Sequence, residues 1–326
     1  MKAILCTKYG PPEVLKLIEI EKPAPGDGDV LIKIYASTVT MGDCELRSLT
    51  LPLWTRLPMR LLMGYRKPRR FIPGMEFSGV IEAVGEKVSL FKKGDAVFGS
   101  SGFHMSANAE YKSQRVNSAI AVKPLNVSFE AAATLPVGGL NALHFLRKAA
   151  IKPGQKVLII GAGGSIGTYG VQLAKLYGAE VTAVDDTNKL DMLRSIGADC
   201  VIDYTKEDYS KNGVKYDVIF DMIYKSSFSK CVSALKEDGC YLMANTGPRR
   251  MLWSLWVSWT SRKKMIFALA GEKVEDLNHL AGLIASNKMK PVIDRIFPLE
   301  KIADAHSYVE KGYKKGNVVI RVSHEQ

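Results

Sequence analysis

The apolar positions change their period along the chain. In the first 125 residues they form short runs broken by glycine and proline. Residues 29–36, 76–84 and 95–98 read as strands, punctuated at 23–28, at Gly85 and at 93–95. From Ser128, which has the character of a helix N-cap, the spacing becomes helical, and 136–150 carries a continuous apolar stripe. Strand and helix signals then alternate. Residues 156–160 form an unbroken apolar run, as in a strand buried on both faces. Helix follows at 167–177, strand at 180–184, helix at 189–196, strand at 200–202 and strand at 217–220. One more helix and strand occupy 226–235 and 239–244. This alternation predicts an α/β architecture with a doubly wound parallel sheet. The tail is mixed, with helices near 274–286 and 300–311 and a last strand at 317–322.

Composition narrows the class. Of 326 residues, 47% are apolar and 24% charged, which excludes a disordered or fibrous chain and fits about two domains. No run of about 18 apolar residues is present to span a bilayer. The first residues turn polar at Thr7 and Lys8 and show no cleavable signal, and the five cysteines are scattered without a CxxC pair. The expectation is a soluble cytoplasmic protein with free thiols. The net charge of +12 is concentrated: seven Lys and Arg without an acid lie between Arg47 and Met75, and five between Cys240 and Gly271. All four tryptophans, Trp54, Trp253, Trp256 and Trp259, fall in these stretches. Such patches suit an anionic partner, or are solvated loops whose aromatics make core or subunit contacts. Read as a helix, 251–259 has a narrow Ser254/Ser258 stripe on an otherwise apolar surface. It is a candidate for peripheral membrane contact through Trp253, Trp256 and Trp259, for a pocket wall, or for a buried helix.

The strongest chemical signal is the run Ile160-Gly161-Ala162-Gly163-Gly164-Ser165-Ile166-Gly167, where a buried strand ends in a glycine-rich turn that opens a helix. Backbone amides and the helix dipole there suit a dinucleotide's diphosphate. Asp185, 24 residues after Gly161, stands where an acid accepts hydrogen bonds from a ribose 2′-hydroxyl. Asp185 and Asp186 favour NADH, whereas Lys189 and Tyr204 point to NADPH; on these residues the balance leans slightly to NADH. The candidate cofactor-binding set is Gly161, Gly164, Ser165, Ile166, Gly167, Asp185, Lys189, Tyr204, Asn245 and Asn317.

With these residues placed, the whole chain resembles the medium-chain dehydrogenase/reductase superfamily, and within it the zinc-free quinone oxidoreductase branch. The resemblance rests on Tyr9-Gly10-Pro11-Pro12-Glu13-Val14-Leu15, Pro73-Gly74-Met75-Glu76-Phe77-Ser78-Gly79, Gly94-Asp95-Ala96-Val97-Phe98-Gly99 and Leu135-Pro136-Val137-Gly138-Gly139-Leu140-Asn141-Ala142, together with glycines three apart at 161, 164 and 167. It implies a GroES-like β-barrel catalytic domain at 1–125, an inserted Rossmann domain at 126–265, and a C-terminal return at 266–326. It also implies a homodimer or tetramer through the Rossmann sheet edge. The positions of the superfamily's catalytic zinc ligands read Thr40, Met75 and Pro136, none of them a good zinc ligand, and 99–109 lacks the structural-zinc cysteines. Cys44 reads as a buried thiol.

Without a Lewis acid, hydride addition to a conjugated acceptor is easier than reduction of a simple ketone, because the negative charge delocalises onto a distant oxygen. The expected activity is therefore zinc-independent, NAD(P)H-dependent reduction of a quinone, an enone or an enoyl thioester. By family position Thr40 faces the nicotinamide site, where relatives often carry asparagine. Tyr65 falls in the loop region from which some enoyl reductases supply a tyrosine proton donor, and Asp43 ties that loop to the fold. Two alternatives remain open: a zinc-free alcohol dehydrogenase running oxidatively, and a non-catalytic NAD(P)H-dependent RNA-binding or structural relative. The basic stretches lack an RNA-binding module, so nucleic acid is not the favoured partner.

Overall fold

The computed structural model describes every residue except Arg70, Lys225, Leu269, Glu325 and Gln326, and the backbone alone of Phe103. In chain order the elements begin with β1 (Lys2–Cys6), β2 (Leu15–Glu19), β3 (Asp29–Val39), α1 (Met41–Ser48), α2 (Leu53–Met63), β4 (Glu76–Val84), β5 (Ala96–Ser100), β6 (Tyr111–Arg115) and β7 (Ile120–Val122). They continue with α3 (Phe129–Ala133), α4 (Leu135–Ala149), β8 (Lys156–Ile160), α5 (Ser165–Leu176), β9 (Glu180–Asp185), α6 (Leu190–Ser195), β10 (Cys200–Asp203) and β11 (Tyr216–Asp221). The last are α7 (Phe228–Ala234), β12 (Leu235–Met243), α8 (Pro248–Thr260), β13 (Lys264–Phe267), α9 (Val274–Ala285), β14 (Ile293–Pro298), α10 (Ile302–Glu310) and β15 (Asn317–Arg321).

The chain divides into two compact units. One holds 1–137, 272–287 and 293–326, the other 138–271 and 288–292. In the first, a sheet runs β14-β15-β3-β4-β5-β7, with β6 also paired to β3. Its core gathers Ile4, Ile32, Ile34, Phe77, Val97 and Val318, all fully buried. The compact unit extends to Val137, where the sequence placed a boundary at 125. The reason is α3. Ser128 caps it by accepting from the Ala131 amide, Phe129 stacks on Tyr35 with ring centroids 4.8 Å apart, and the Phe129 carbonyl accepts from Ser78 Oγ. The return strand β15 pairs antiparallel with β3, so the chain's end completes the sheet begun at its start.

In the second unit six strands run in the order β10-β9-β8-β11-β12-β13, every neighbouring pair parallel. This is the doubly wound order, reversing direction between β8 and β11. Val157, Leu158 and Ile159 are fully buried, as the unbroken apolar run requires. The strand that the sequence began at 239 starts at Leu235, directly out of α7, with a register shift against β11 between Tyr216 and Val218.

Two helices carry their apolar faces outward. In α8 only one member of the serine stripe faces inward: Ser254 is buried and donates to the Arg250 carbonyl, while Ser258, Leu252, Trp253, Leu255, Trp256 and Trp259 are exposed. The acid-free stretch that the sequence left without an element contains α2, none of whose residues is buried. No helix among the described residues is long and apolar enough to cross a membrane.

Candidate functional site

The glycine turn sits at the carboxyl end of β8, beside the point where strand order reverses. Gly161 has φ +80°, a left-handed conformation that a side chain would strain. Gly164 is the N-cap of α5, and the helix's own ladder begins with the Thr168 amide donating to its carbonyl. The amides of Ile166 and Gly167 therefore have no intrahelical acceptor and point out of the helix end. A Cβ on Gly167 would lie 2.5 Å from both the Gly161 and Ala162 carbonyl oxygens, so the close approach of helix and turn demands glycine. At Gly164 a Cβ would meet only the Gly161 oxygen at 3.6 Å. The turn is thus tight where it must pack and open where a ligand would lie. These residues fit a dinucleotide's diphosphate.

Asp185 ends β9 alongside the turn and is buried. Its Oδ2 accepts from the Gly163 amide at 2.7 Å, and its Oδ1 accepts from the Asp186 amide and from Lys189 Nζ, both at 2.9 Å. Lys189 Nζ also lies 3.0 Å from Asp186. Burial alone would lower the lysine's pKa, but the two carboxylates more than offset it and hold the pKa above its ordinary value. The Tyr204 amide donates to the Asp185 carbonyl at 3.2 Å, and its side chain is exposed. Gly161, Gly164, Ser165, Ile166, Gly167, Asp185, Lys189 and Tyr204 thus gather at the carboxyl ends of β8, β9 and β10. Asn245 is exposed just beyond β12, on the same edge of the sheet. Asn317 is the exception: it begins β15 in the other compact unit and is 2% exposed.

Sequence reasoning missed Asp221, which ends β11 next to β8. Buried, it accepts from the Ile223 amide at 2.9 Å, from Tyr241 Oη at 2.7 Å and from Ser226 Oγ, with Arg250 Nη2 at 3.4 Å. Arg250 also donates to the Ser226 carbonyl at 3.0 Å, which ties the start of α8 to the end of the sheet. The only trace in the sequence was an aspartate closing a buried apolar run.

In the first unit, Thr40 caps α1. Its Oγ1 accepts from the Asp43 amide at 3.2 Å and donates to Asp43 Oδ2 at 2.7 Å, while its own amide donates to the same oxygen at 2.8 Å. This is a capping box with aspartate in the usual glutamate's place. Asp43 Oδ1 takes the Gly74 amide at 3.2 Å, so Asp43 fastens the loop before β4 to α1. Thr40 and Met75 lie close together: a Cβ on Gly42 would be 3.5 Å from Thr40 Oγ1 and 3.7 Å from Met75 Sδ. Among the described residues no three His, Cys, Asp or Glu side chains gather as a metal site. Tyr65 is exposed beyond α2, with the Arg60 guanidinium 5.5 Å from its ring centroid. Cys44 is buried, its Sγ 3.4 Å from His306 Nδ1, and burial pushes its thiol far above the ordinary range.

Glu76, next to Met75, is buried and accepts from Thr38 Oγ1 and, at 2.6 Å, from the Val137 amide. Burial outweighs these bonds and pushes its pKa from 4.5 up to about 7. A folded carboxyl that holds its proton longer than the unfolded one loses stability as pH rises. Stability should therefore fall between about pH 4.5 and 7 and level off above. The Glu76→Gln variant should lack that slope and exceed the wild type at pH 8 by about 3 kcal/mol, on the order of the shift itself. Melting temperature against pH for the two proteins checks this.

Comparison with known proteins agrees with this arrangement. Residues 26–149 match the alcohol dehydrogenase GroES-like domain, and residues 196–320 match the zinc-binding dehydrogenase family. The 2-methylene-furan-3-one reductase of Solanum lycopersicum is 34% identical over 98% of this chain and 79% of its own. The chain belongs to the medium-chain dehydrogenase/reductase superfamily, on its quinone-oxidoreductase-like branch. An NADPH-dependent alkenal/one oxidoreductase of Arabidopsis thaliana, a chloroplastic protein, is 32% identical over 98% of this chain and 79% of its own. Among solved structures, the quinone oxidoreductase from Coxiella burnetii superposes with a TM-score of 0.89 at 30% identity, covering 99% of both chains.

Within this medium-chain fold three of the five cations around α8 are engaged. Arg250 is bound to Asp221, Arg262 to Asp238 at 2.6 Å, and Lys263 to Glu237 at 3.1 Å. Arg249 and Lys264, the other two cations of this stretch, are exposed and form no ion pair among the described residues.

Proposed function

We propose that this protein is an NADPH-dependent reductase of quinones or α,β-unsaturated carbonyl compounds that works without a catalytic metal. The observation that carries this reading is the pairing of a dinucleotide cradle at 161–167 with a threonine and a thioether, Thr40 and Met75, at positions where zinc enzymes of the superfamily place metal ligands. A bound nicotinamide would supply hydride chemistry. The amides opening α5 would hold the diphosphate, and Gly164 leaves room for it.

Thr40 directs its hydroxyl proton to Asp43, so it presents an oxygen to the site and not a strong electrophile. In this reading the acceptor spreads the added negative charge itself, as a quinone or enone does. Tyr65 Oη makes no hydrogen bond among the described residues, which leaves its proton available as a candidate donor to the reduced product. The names of the relatives support the same substrate classes.

NADPH is preferred to NADH in this reading because Asp185 already accepts from three donors and is neutralised by Lys189. A ribose hydroxyl finds the carboxylate engaged, whereas a 2′-phosphate would share the lysine with Asp185 and Asp186 and meet the exposed Tyr204 nearby. The test is oxidation of NADPH and NADH against a panel of quinones, enones and an enoyl thioester, with and without a metal chelator. Chelator-insensitive turnover is expected; turnover that the chelator abolishes would sink the metal-free reading.

A further inference from the structure

The helix α2 is amphipathic the wrong way round for a helix that packs on its own protein. At 100° per residue, Leu53, Leu57, Leu61, Trp54, Pro58 and Leu62 form one continuous half of its circumference. These six are exposed, while on the opposite side Thr55, Met59, Arg60 and Met63 are half-buried and Arg56 alone is exposed. Leu53 is 85% exposed, Leu62 68% and Leu61 64%. The helix is firmly held beneath this face: Tyr9 Oη donates to the Gly64 carbonyl at 2.7 Å, and the Arg69 amide donates to the Met63 carbonyl at 2.8 Å. Arg56 on the helix's other side and Arg66, Lys67 and Arg69 just beyond its end are all exposed, and none forms an ion pair among the described residues. No acid lies in the sequence between Arg47 and Met75 to neutralise them. Arg70 lies outside the described residues.

We propose that α2 docks this protein on the surface of an anionic lipid bilayer. The outward leucines would enter the acyl boundary, Trp54 would sit at headgroup level, and the arginines and lysine would meet anionic headgroups. Charge selects this occupant over the others. Two copies meeting through this face would bring two acid-free cationic patches together. Nucleic acid would meet a face made mostly of leucines, on which bases do not stack, with Trp54 its one aromatic ring. Around α8 three of five cations are paired with acids, whereas none of these four at α2 is. The docking needs nothing from the reductase reading.

Co-sedimentation of the intact protein with unilamellar vesicles tests it, comparing phosphatidylcholine alone with an equal mixture of phosphatidylcholine and phosphatidylglycerol. The wild type should bind the mixed vesicles at low salt. Arg56→Gln/Arg66→Gln/Lys67→Gln/Arg69→Gln should weaken that binding by about a hundredfold or more, from roughly fivefold per basic residue. Leu57→Asp/Leu61→Asp should abolish it while keeping the wild-type melting temperature, because both side chains are exposed. Failure to bind mixed vesicles would overturn the proposal, as would binding that survives Leu57→Asp/Leu61→Asp. It would equally fail if the wild type forms a larger species without vesicles that Leu57→Asp/Leu61→Asp dissociates, since the face would then belong to a second copy.

Discussion

A valine at position 164 will leave the fold standing and abolish dinucleotide binding. Gly164 has φ −83° and ψ 178°, where any residue is comfortable, and a Cβ there meets only one carbonyl oxygen at ordinary contact distance. The added methyl groups can extend only into the open space in front of the first amides of α5. That is the space a diphosphate needs. Affinity for NADPH should fall at least about a hundredfold, roughly 3 kcal/mol, with a melting temperature near the wild type's. Gly167→Ala provides the contrast. Its Cβ would lie 2.5 Å from two backbone oxygens that cannot move aside without opening the turn. Overpacking of that kind costs about 3 kcal/mol and should lower the melting temperature by about 5 °C. Nucleotide titration beside thermal melts separates the two effects. If Gly164→Val binds NADPH normally, the cradle is not at this turn.

The second large effect is expected at Lys189. Replacing it with methionine keeps the stem that lies over Gly163 and removes the charge. If the ammonium meets a 2′-phosphate, Lys189→Met should weaken NADPH binding ten- to a hundredfold, the range of a charge-assisted hydrogen bond. NADH should bind within about threefold of the wild type. Asp185→Asn separates the competing view. If Asp185 is the ribose acceptor, that change damages NADH binding; if it only positions Lys189 and the turn, it does not favour one nucleotide by more than a few fold. Equal losses for both nucleotides in Lys189→Met would show that the lysine merely holds the turn together.

Much of this was readable in the residues, for physical reasons. The parallel sheet announced itself because strands buried on both faces must be unbroken apolar runs, as at 156–160. The glycine turn was legible because only glycine tolerates φ +80° at Gly161 and the backbone contact at Gly167. The capping box of Thr40 and Asp43, and with it a hydroxyl proton already committed, needed the hydrogen-bond geometry. Periodicity showed that 251–259 was amphipathic without showing which face meets the protein. A Ser254 buried inside and tryptophans outside invert the usual assignment. Asp221 and Arg250, 29 residues apart, and the engagement of Asp185 by Gly163 and Lys189 are tertiary facts, which no local pattern carries.

The central claim is metal-free reduction of a conjugated acceptor, and the fate of the hydride tests it most directly. The protein would be incubated with an enone and NADPH deuterated at the transferable position of the nicotinamide, in the presence of a chelator, and the product examined by NMR. Deuterium on the β-carbon, with a solvent proton on the α-carbon, is the result expected here. Deuterium on the carbonyl carbon of an allylic alcohol, or transfer that fails until zinc is restored, would contradict it.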